Sequence, residues 1–548
     1  MSFVDDIFAR LQSAASQELL RELRGGDVVS ATGGSLRDRI AKARGFLAGK
    51  RLKKGERVAL LAANSIDWVA MDLAIMAEGL IVVPLYARQA PTELIAMMKD
   101  CSPALICCGD ATLRDSIARE WPEMPHAAIF EEIFKTEGDV RASAALADSD
   151  PVTIIYTSGT SGESKGVVLT AGNIAHMLRC TSGRLGQLMN QRPGQDQVFH
   201  YLPFCFAGSW IMLLTCLLRG SRLTLNTDLT KLAGDMREAA PDYFLNVPQL
   251  LERMRKAVDE QLWKTSGIVL SVYTKAKAAW MRKQEGRSGF SDSIWLRLAS
   301  AIVFPAIRKK MIGSNLKALI CGSAPLNVET QQFFMMLGIP VLQVYGLTET
   351  TAICTMDDPS RVEPGRVGPA ISGIEMKLGP NEEILVRGPN IFPGYWNRQQ
   401  ATAQALREGW FYTGDQGEID ASGNWRIIGR VKNLIILGSG HNIAPEPIEE
   451  ALLQQLSGAQ QVVLTGNGRS YLSAIITGDV LPKNAQIALD SVNQGLPHYK
   501  QIRAFHIHPE PFSIENGLLT ANGKLKRDLI AARMKNEIEA MYAVKQAV

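Results

Sequence analysis

A chain of 548 residues, 46% of them hydrophobic and 21% charged, is too long for one ordinary core and implies two or more domains. The net charge of +4 is small for this length, and no long Lys/Arg run points to nucleic acid as a partner. The opening MSFVDDIFARLQ carries early acids and no signal-like apolar core, and the longest strongly apolar run, Trp210 to Leu218, is too short to span a bilayer. The expected location is therefore cytoplasmic. The eight cysteines include no C-x-x-C pair, and free thiols are expected.

Strand-like and helical runs alternate from the start. ERVALLAAN reads as a buried strand, IDWVAMDLAIMAEG as a helix, LIVVPLY as a strand, ELIAMMKDC as a helix and PALICCG as a strand. This alternation predicts βαβ units and mostly parallel sheets, an α/β class. The pattern recurs at 196–250 and 316–345, where LKALICGSAPL and IPVLQVYGLTET each end a strand in a polar loop. In open α/β sheets ligands bind at such strand ends. Residues 261–312 differ, being helical, Trp-containing and basic on one face. They read either as a membrane-surface helix pair or, more plainly, as amphipathic helices packed on the domain. GWFYTGDQGEIDASGNWRIIGR reads as a hairpin turning at D-A-S-G-N. After it the texture changes, predicting a large domain over 1–430 and a small α+β domain over 431–548.

The stretch TIIYTSGTSGESKG, residues 153–166, interrupts a strand with small and hydroxylic residues. Backbone N–H groups of such a loop can form a concave anion site. Hydroxyls of Thr157, Ser158, Thr160 and Ser161, and the charge of Lys165, add donors suited to a polyphosphate. Lys165 lies at the Walker offset from Gly159, but Ser164 and Gly166 replace the Walker glycine and hydroxyl residue. GVVLT then continues as a strand, whereas a P-loop requires a helix there. The segment reads as a phosphate loop between two strands, or as a plain hairpin connection.

TSGTSGESKG, CGSAP at 321–325, YGLTETTA at 345–352, YTGD at 412–415, GRVKNLIILGSGHNIAPEPIE at 429–449 and NGKLKR at 522–527 follow in order. Together they resemble the adenylate-forming superfamily of acyl-CoA synthetases, luciferases and peptide-synthetase adenylation domains. The resemblance implies ATP, Mg²⁺ and usually coenzyme A: a carboxylate is adenylated with loss of pyrophosphate, and a thiol then displaces AMP. Bringing two anions together calls for charge neutralisation more than for a protein nucleophile, in keeping with the lack of a Ser-His-Asp or Cys-His set. By this similarity the loop with Gly159 and Gly162 holds the β- and γ-phosphates. Glu349 and Thr160 bind the metal, and Thr348 touches the α-phosphate. Tyr345 and Gly346 meet the adenine, lined by Gly322, Ser323 and Ala324. Asp415 takes the ribose hydroxyls with Arg430, Lys432 is the pivot, and Lys524 is the mobile catalytic cation. SGHNIAP, after the pivot, contributes to the thioester-forming face. Read without the resemblance, Glu349 is a first-turn acid capped by Thr348, and Lys524 is a surface lysine.

HNIAPEPIE, EPFSIENGLLTANGKLKR and the 261–312 insertion look most like the long-chain fatty acid–CoA ligase branch, and SWIMLLTCLLRG reads as a tunnel wall or a buried helix. Cys205–Phe206 stand where relatives commonly place a histidine, Asn433 where an aspartate is common, and Ser161 and Ser164 where threonine and proline are. The alternatives are an aryl acid–CoA ligase, an acyl-carrier-protein ligase, a β-lactone-forming relative and a non-enzymatic nucleotide-binding scaffold. No carrier domain is fused, since TGGSL at 32–36 lacks phosphopantetheine-site spacing. Peripheral contact with the inner membrane face is the remaining expectation about partners.

Overall fold

The computed structural model describes residues 2–158, 164–191, 194–264, 267–313, 315–519 and 523–543. The expected βαβ alternation builds two large sheets. One has seven strands, in the order Gly394–Tyr395, Ser164–Thr170, Pro151–Ser158, Ile81–Leu85, Arg57–Leu61, Leu105–Cys108, Ala127–Ile129. The other has eight, running from Thr355–Met356 through Val341–Tyr345, Ala318–Cys321, Tyr243–Asn246, Gln197–His200 and Arg222–Asn226 to Glu18–Arg24 and Asp27–Thr32. Most pairs within each sheet are parallel, including the outermost pair Leu105–Cys108/Ala127–Ile129, as expected when crossover helices cover both faces, and antiparallel pairs gather at the other ends.

Helices Ile66–Ala77 and Ala207–Arg219 lie in the largest core. The second is SWIMLLTCLLR, nearly every residue of which is buried, so the buried-helix reading is the observed one. Its Trp210 indole donates to Asp72 Oδ2 at 2.9 Å, and Asp72 Oδ1 has no partner. A third, antiparallel sheet contains the expected hairpin, Trp410–Ile419 against Trp425–Arg430. Asp420 closes its turn by accepting from the N–H groups of Ser422 and Asn424.

The insertion begins earlier than residue 261. Pro248 opens helix Pro248–Trp263 at its first turn, followed by Gly267–Gln284 and a continuous helix over Phe290–Met311. Tyr273, Ala276, Ala299, Val303 and Phe304 of this segment pack with Phe199 and Phe244 in a second core. Among the described residues, Phe290–Met311 is the one helix long and apolar enough, by length and composition, to cross a membrane. Scanning for uninterrupted apolar runs passes over it because Arg297 and several serines break the run.

From Ile435 onward the chain forms its own core under the three-stranded sheet Ala459–Thr465, Leu472–Gly478, Ile502–His508. Helices Glu446–Gln455 and Pro482–Gln494 contribute to that core, and Arg527–Arg533 and Lys535–Ala543 follow.

Candidate functional site

Strands Ala318–Cys321 and Val341–Tyr345 run parallel and end side by side. A Cβ on Gly322 would lie 2.6 Å from Val344 Cγ2, so only glycine lets the first loop lie against the second strand. Ser323 then adopts φ +74°, a left-handed conformation that is uncommon for a residue with a side chain. Both Ser323 and Ala324 are exposed at the strand end. A Cβ on Gly346 would meet the Ala352 carbonyl at 2.3 Å. Gly346 is thus required by the tight fold of YGLTETTA, whatever it offers a ligand.

The hairpin places Asp415 directly across from Arg430. Arg430 Nε pairs with Asp415 Oδ1 at 2.7 Å, and Tyr345 Oη donates to Oδ2 at 2.8 Å. Burial pushes the Asp415 carboxyl up, while Arg430, Tyr345 and Lys524 draw it back. Each oxygen of a carboxylate can accept two hydrogen bonds, so this rigidly held group still has capacity for a pair of hydroxyls.

Glu349 sits in the 3₁₀ turn Thr348–Thr350. Its cap is not Thr348: the Leu347 N–H donates to Thr350 Oγ1 at 2.9 Å, which corrects the capping alternative and leaves the Thr348 hydroxyl without that task. Glu349 Oε1 accepts from Tyr395 Oη at 2.8 Å. Burial pushes the Glu349 carboxyl up, and the Tyr395 bond and the charge of Arg430 oppose it. Tyr395 belongs to strand Gly394–Tyr395, paired with Ser164–Thr170, and Lys165 Nζ lies 5.1 Å from its ring centroid. Tyr395 therefore joins strand Ser164–Thr170 to Glu349. Sequence reasoning missed it, and a G-Y-W-N turn at 394–397 was the only signal.

Thr157 pairs with Lys165, and the backbone of Ser158 with Ser164, across an antiparallel ladder. The loop is thus a strand-to-strand connection, as expected, and not a P-loop. Gly159, Thr160, Ser161 and Gly162 lie outside the described residues.

The C-terminal unit reaches the same cleft. Lys524 is exposed by surface area, yet surrounding atoms desolvate its ammonium and, with Arg430, lower its pKa, while the charges of Asp415 and Glu349 oppose them. Burial, Arg430 and Lys165 lower that of Lys432, and Asp528 opposes them. Four cations, Lys165, Arg430, Lys432 and Lys524, so share one region, an arrangement suited to a polyanion. Arg527 grips Glu449 through two bonds, at 2.7 and 2.5 Å, tying the segment that carries Lys524 to helix Glu446–Gln455. Asn433 Nδ2 donates to Glu446 Oε1 at 2.6 Å; an aspartate there would face a second carboxylate, which explains the asparagine.

Among the described residues no group of three or more acids, histidines or cysteines forms a metal cage. Two carboxylates, Asp415 and Glu349, stand among the cations. That donor set fits Mg²⁺, which takes one or two carboxylates and completes its shell with phosphate oxygens and water. Cys205 is buried, its thiol pushed up to about 12 by burial, and the Phe206 ring lies 5.9 Å from Tyr86. His200 is stacked on Phe204 at 5.0 Å and burial lowers it to about 4, so it is a neutral packing group.

Cations contributed by the large α/β unit and by the small unit, set beside Asp415 and Glu349, suit a nucleoside polyphosphate. The chain belongs to the AMP-binding enzyme family: that family matches residues 12–396, and the AMP-binding enzyme C-terminal domain matches 432–546. It is 26% identical to the long-chain-fatty-acid–CoA ligase FadD15 of Mycobacterium tuberculosis, over 90% of this chain and 88% of that protein. It is 27% identical to the chloroplastic long-chain-fatty-acid–[acyl-carrier-protein] ligase AEE15 of Arabidopsis thaliana, over 91% and 81%. The fold matches ATP-bound MatB from Rhodopseudomonas palustris with a TM-score of 0.75, 23% identity and coverage of 98% and 99%. It matches the Bacillus subtilis o-succinylbenzoate CoA synthetase holding its acyl-adenylate with a TM-score of 0.74, 20% identity and coverage of 96% and 97%.

Proposed function

We propose that the protein activates a medium- to long-chain fatty acid with ATP, releasing pyrophosphate, and passes the acyl group from acyl-AMP to coenzyme A. The observation that supports this reading is the electrostatic coupling of Lys524, from the small unit, to Asp415 and Glu349, as expected of a cation that meets the carboxylate and α-phosphate. In this reading Asp415 and Arg430 orient the ribose and Tyr345 packs on the base, with Gly322, Ser323 and Ala324 alongside. Lys165 and the 157–162 loop take the β- and γ-phosphates. Thr348 contacts the α-phosphate, and Lys524 offsets the charge that gathers as the acid attacks. Glu349, with Thr160, would hold Mg²⁺, which supplies further neutralisation of phosphate oxygens when bound. The enzyme thereby substitutes fixed charge for water around two anions.

Lys432, in the 3₁₀ turn Val431–Asn433 that follows the hairpin, is the pivot on which the 431–548 domain turns away from the 1–430 domain for the second step. His441, held by Ser439 at 2.9 Å and stacked on Tyr499, would then face the thioester site. The protein works in the cytoplasm, on free substrates, and meets a membrane surface peripherally. A carrier-protein thiol in place of CoA is the second reading, favoured by the likeness to the Arabidopsis long-chain-fatty-acid–[acyl-carrier-protein] ligase.

The test is pyrophosphate release and AMP formation across an acid panel, with CoA or a phosphopantetheinylated carrier protein as acceptor. Saturated acids of about ten to eighteen carbons should give the highest kcat/KM. Release with benzoates and none with fatty acids overturns the substrate assignment, and acyl transfer to the carrier but not to CoA overturns the acceptor.

A further inference from the structure

The helix pair 267–311 has two faces, and only the inner one is accounted for by the second core. On the outer face of Phe290–Met311, Phe290 is 87% exposed, Ile294 51%, Leu298 37% and Ile302 63%. A spacing of four places them on one side of a helix. A wide π turn at Ala299–Val303 takes up the extra residue that would otherwise carry Ile302 out of line. Exposed single apolar residues are ordinary, but a continuous stripe of large ones marks an interaction surface.

The charge around the stripe has one sign. Residues 267–313 contain nine Lys and Arg against two acids, Glu285 and Asp292, a surplus of seven in a chain whose total is +4. The remainder of the protein is therefore net acidic. Both acids are already paired, with Arg287 and Arg282. Arg297, Lys309 and Lys310 are exposed on the apolar helix, and Lys277 and Lys283 on its neighbour. Lys275 Nζ rests 4.3 Å over the Trp295 ring, an aromatic–cation pair of the kind that sits at a headgroup boundary. The helix does not need to span: Ala299, Val303, Phe304 and Ile307 are committed to the protein core, and Asp292 in its first turn is held by Arg282 of the neighbouring helix.

We propose that this face docks the enzyme on an anionic lipid bilayer, with Phe290, Ile294, Leu298 and Ile302 entering the acyl boundary and the surrounding cations on lipid phosphates. Insertion of about 5–10 Å is the usual depth for such a face. A protein partner matching this surface would need an apolar stripe ringed by acids, whereas an anionic bilayer offers both everywhere along its surface. The contact itself is independent of the substrate. Its purpose rests on the fatty-acid reading, because an acid dissolved in a membrane is then loaded where it resides.

The test is flotation of the full-length protein with vesicles of phosphatidylcholine alone or with about one-third phosphatidylglycerol, at low and high salt. The wild type should float with the anionic vesicles at least about tenfold better than with neutral ones, and lose this preference at high salt. Phe290→Ser/Ile294→Ser/Ile302→Ser and, separately, Lys309→Glu/Lys310→Glu should each cut partitioning about tenfold or more. Neither should change turnover of octanoate in vesicle-free buffer. Equal flotation of wild type and both variants overturns the proposal. So does no flotation of the wild type, including the case in which the stripe variant instead dissolves a dimer. Vesicle binding without turnover of any fatty acid would reject the substrate assignment and leave the docking face standing.

Discussion

Replacing Arg527 by methionine removes the guanidinium that holds Glu449. That carboxylate is 9% exposed and would retain one donor, the Leu464 N–H at 2.7 Å. Breaking a buried ion pair on one side costs about 3–5 kcal/mol. The lower end applies here, because the Arg527 side chain is 20% exposed and already partly hydrated. About 3 kcal/mol corresponds to a roughly 150-fold easier local opening. The opening should centre on the segment that presents Lys524, since both partners of the pair belong to the small unit. Hydrogen exchange read by mass spectrometry should therefore accelerate about 100-fold over 527–533, with peptides of the two large sheets unchanged. Fatty-acid-dependent pyrophosphate release should fall with it, while thioester formation from supplied acyl-adenylate should fall much less. Glu449→Gln in the Arg527→Met background removes the stranded charge and should recover most of the protection. Unchanged exchange and adenylation within about twofold of wild type would refute the reasoning, since a 3 kcal/mol clamp cannot be lost silently.

Lys524→Ala should lower adenylation by about 10³-fold, the equivalent of one unit charge acting at close range with an effective dielectric near 20, while sparing thioester formation from acyl-adenylate; single-turnover assays of each half-reaction measure the difference. Tyr395→Phe removes a donor that favours the Glu349 carboxylate, so the acidic limb of the pH–rate profile for pyrophosphate release should move to higher pH, and an unmoved limb would free Tyr395 of this role. Burial raises Asp72 from 3.8 to about 7. The folded state thus holds a proton there that the unfolded chain releases, and stability is lost as pH rises from about 4 through about 7, by up to about 4 kcal/mol. Asp72→Asn keeps an acceptor for Trp210 and should flatten that dependence, which urea melts at pH values on either side of the window would reveal.

Much of the nucleotide site was legible because its parts are local. A glycine-serine loop between strands, a hairpin with D-A-S-G-N at its turn, and strand ends followed by CGSAP and YGLTET are short-range patterns, and Tyr345, Asp415 and Arg430 from two of them meet in one bonded set. Asp415 and Arg430 are fifteen residues apart in sequence and opposite each other across a ladder, a register set by the hairpin turn together with a one-residue shift at Gln416–Gly417. The Asn433 departure also became intelligible once Glu446 was seen beside it.

What the chain determined by itself was its periodicity and turn chemistry, hence the strands, helices and parallel sheets, because these depend on residues a few positions apart. Only the tertiary structure decided which groups share a field. Tyr395 reaches Glu349 through a strand pairing made more than two hundred residues earlier in the sequence. Lys524 enters the cleft because Arg527 and Glu449 anchor its segment. One side of helix Phe290–Met311 is left uncovered because the core uses only the other. Burial and charge proximity are properties of distance in space, and a linear pattern does not contain them until packing brings the pieces together.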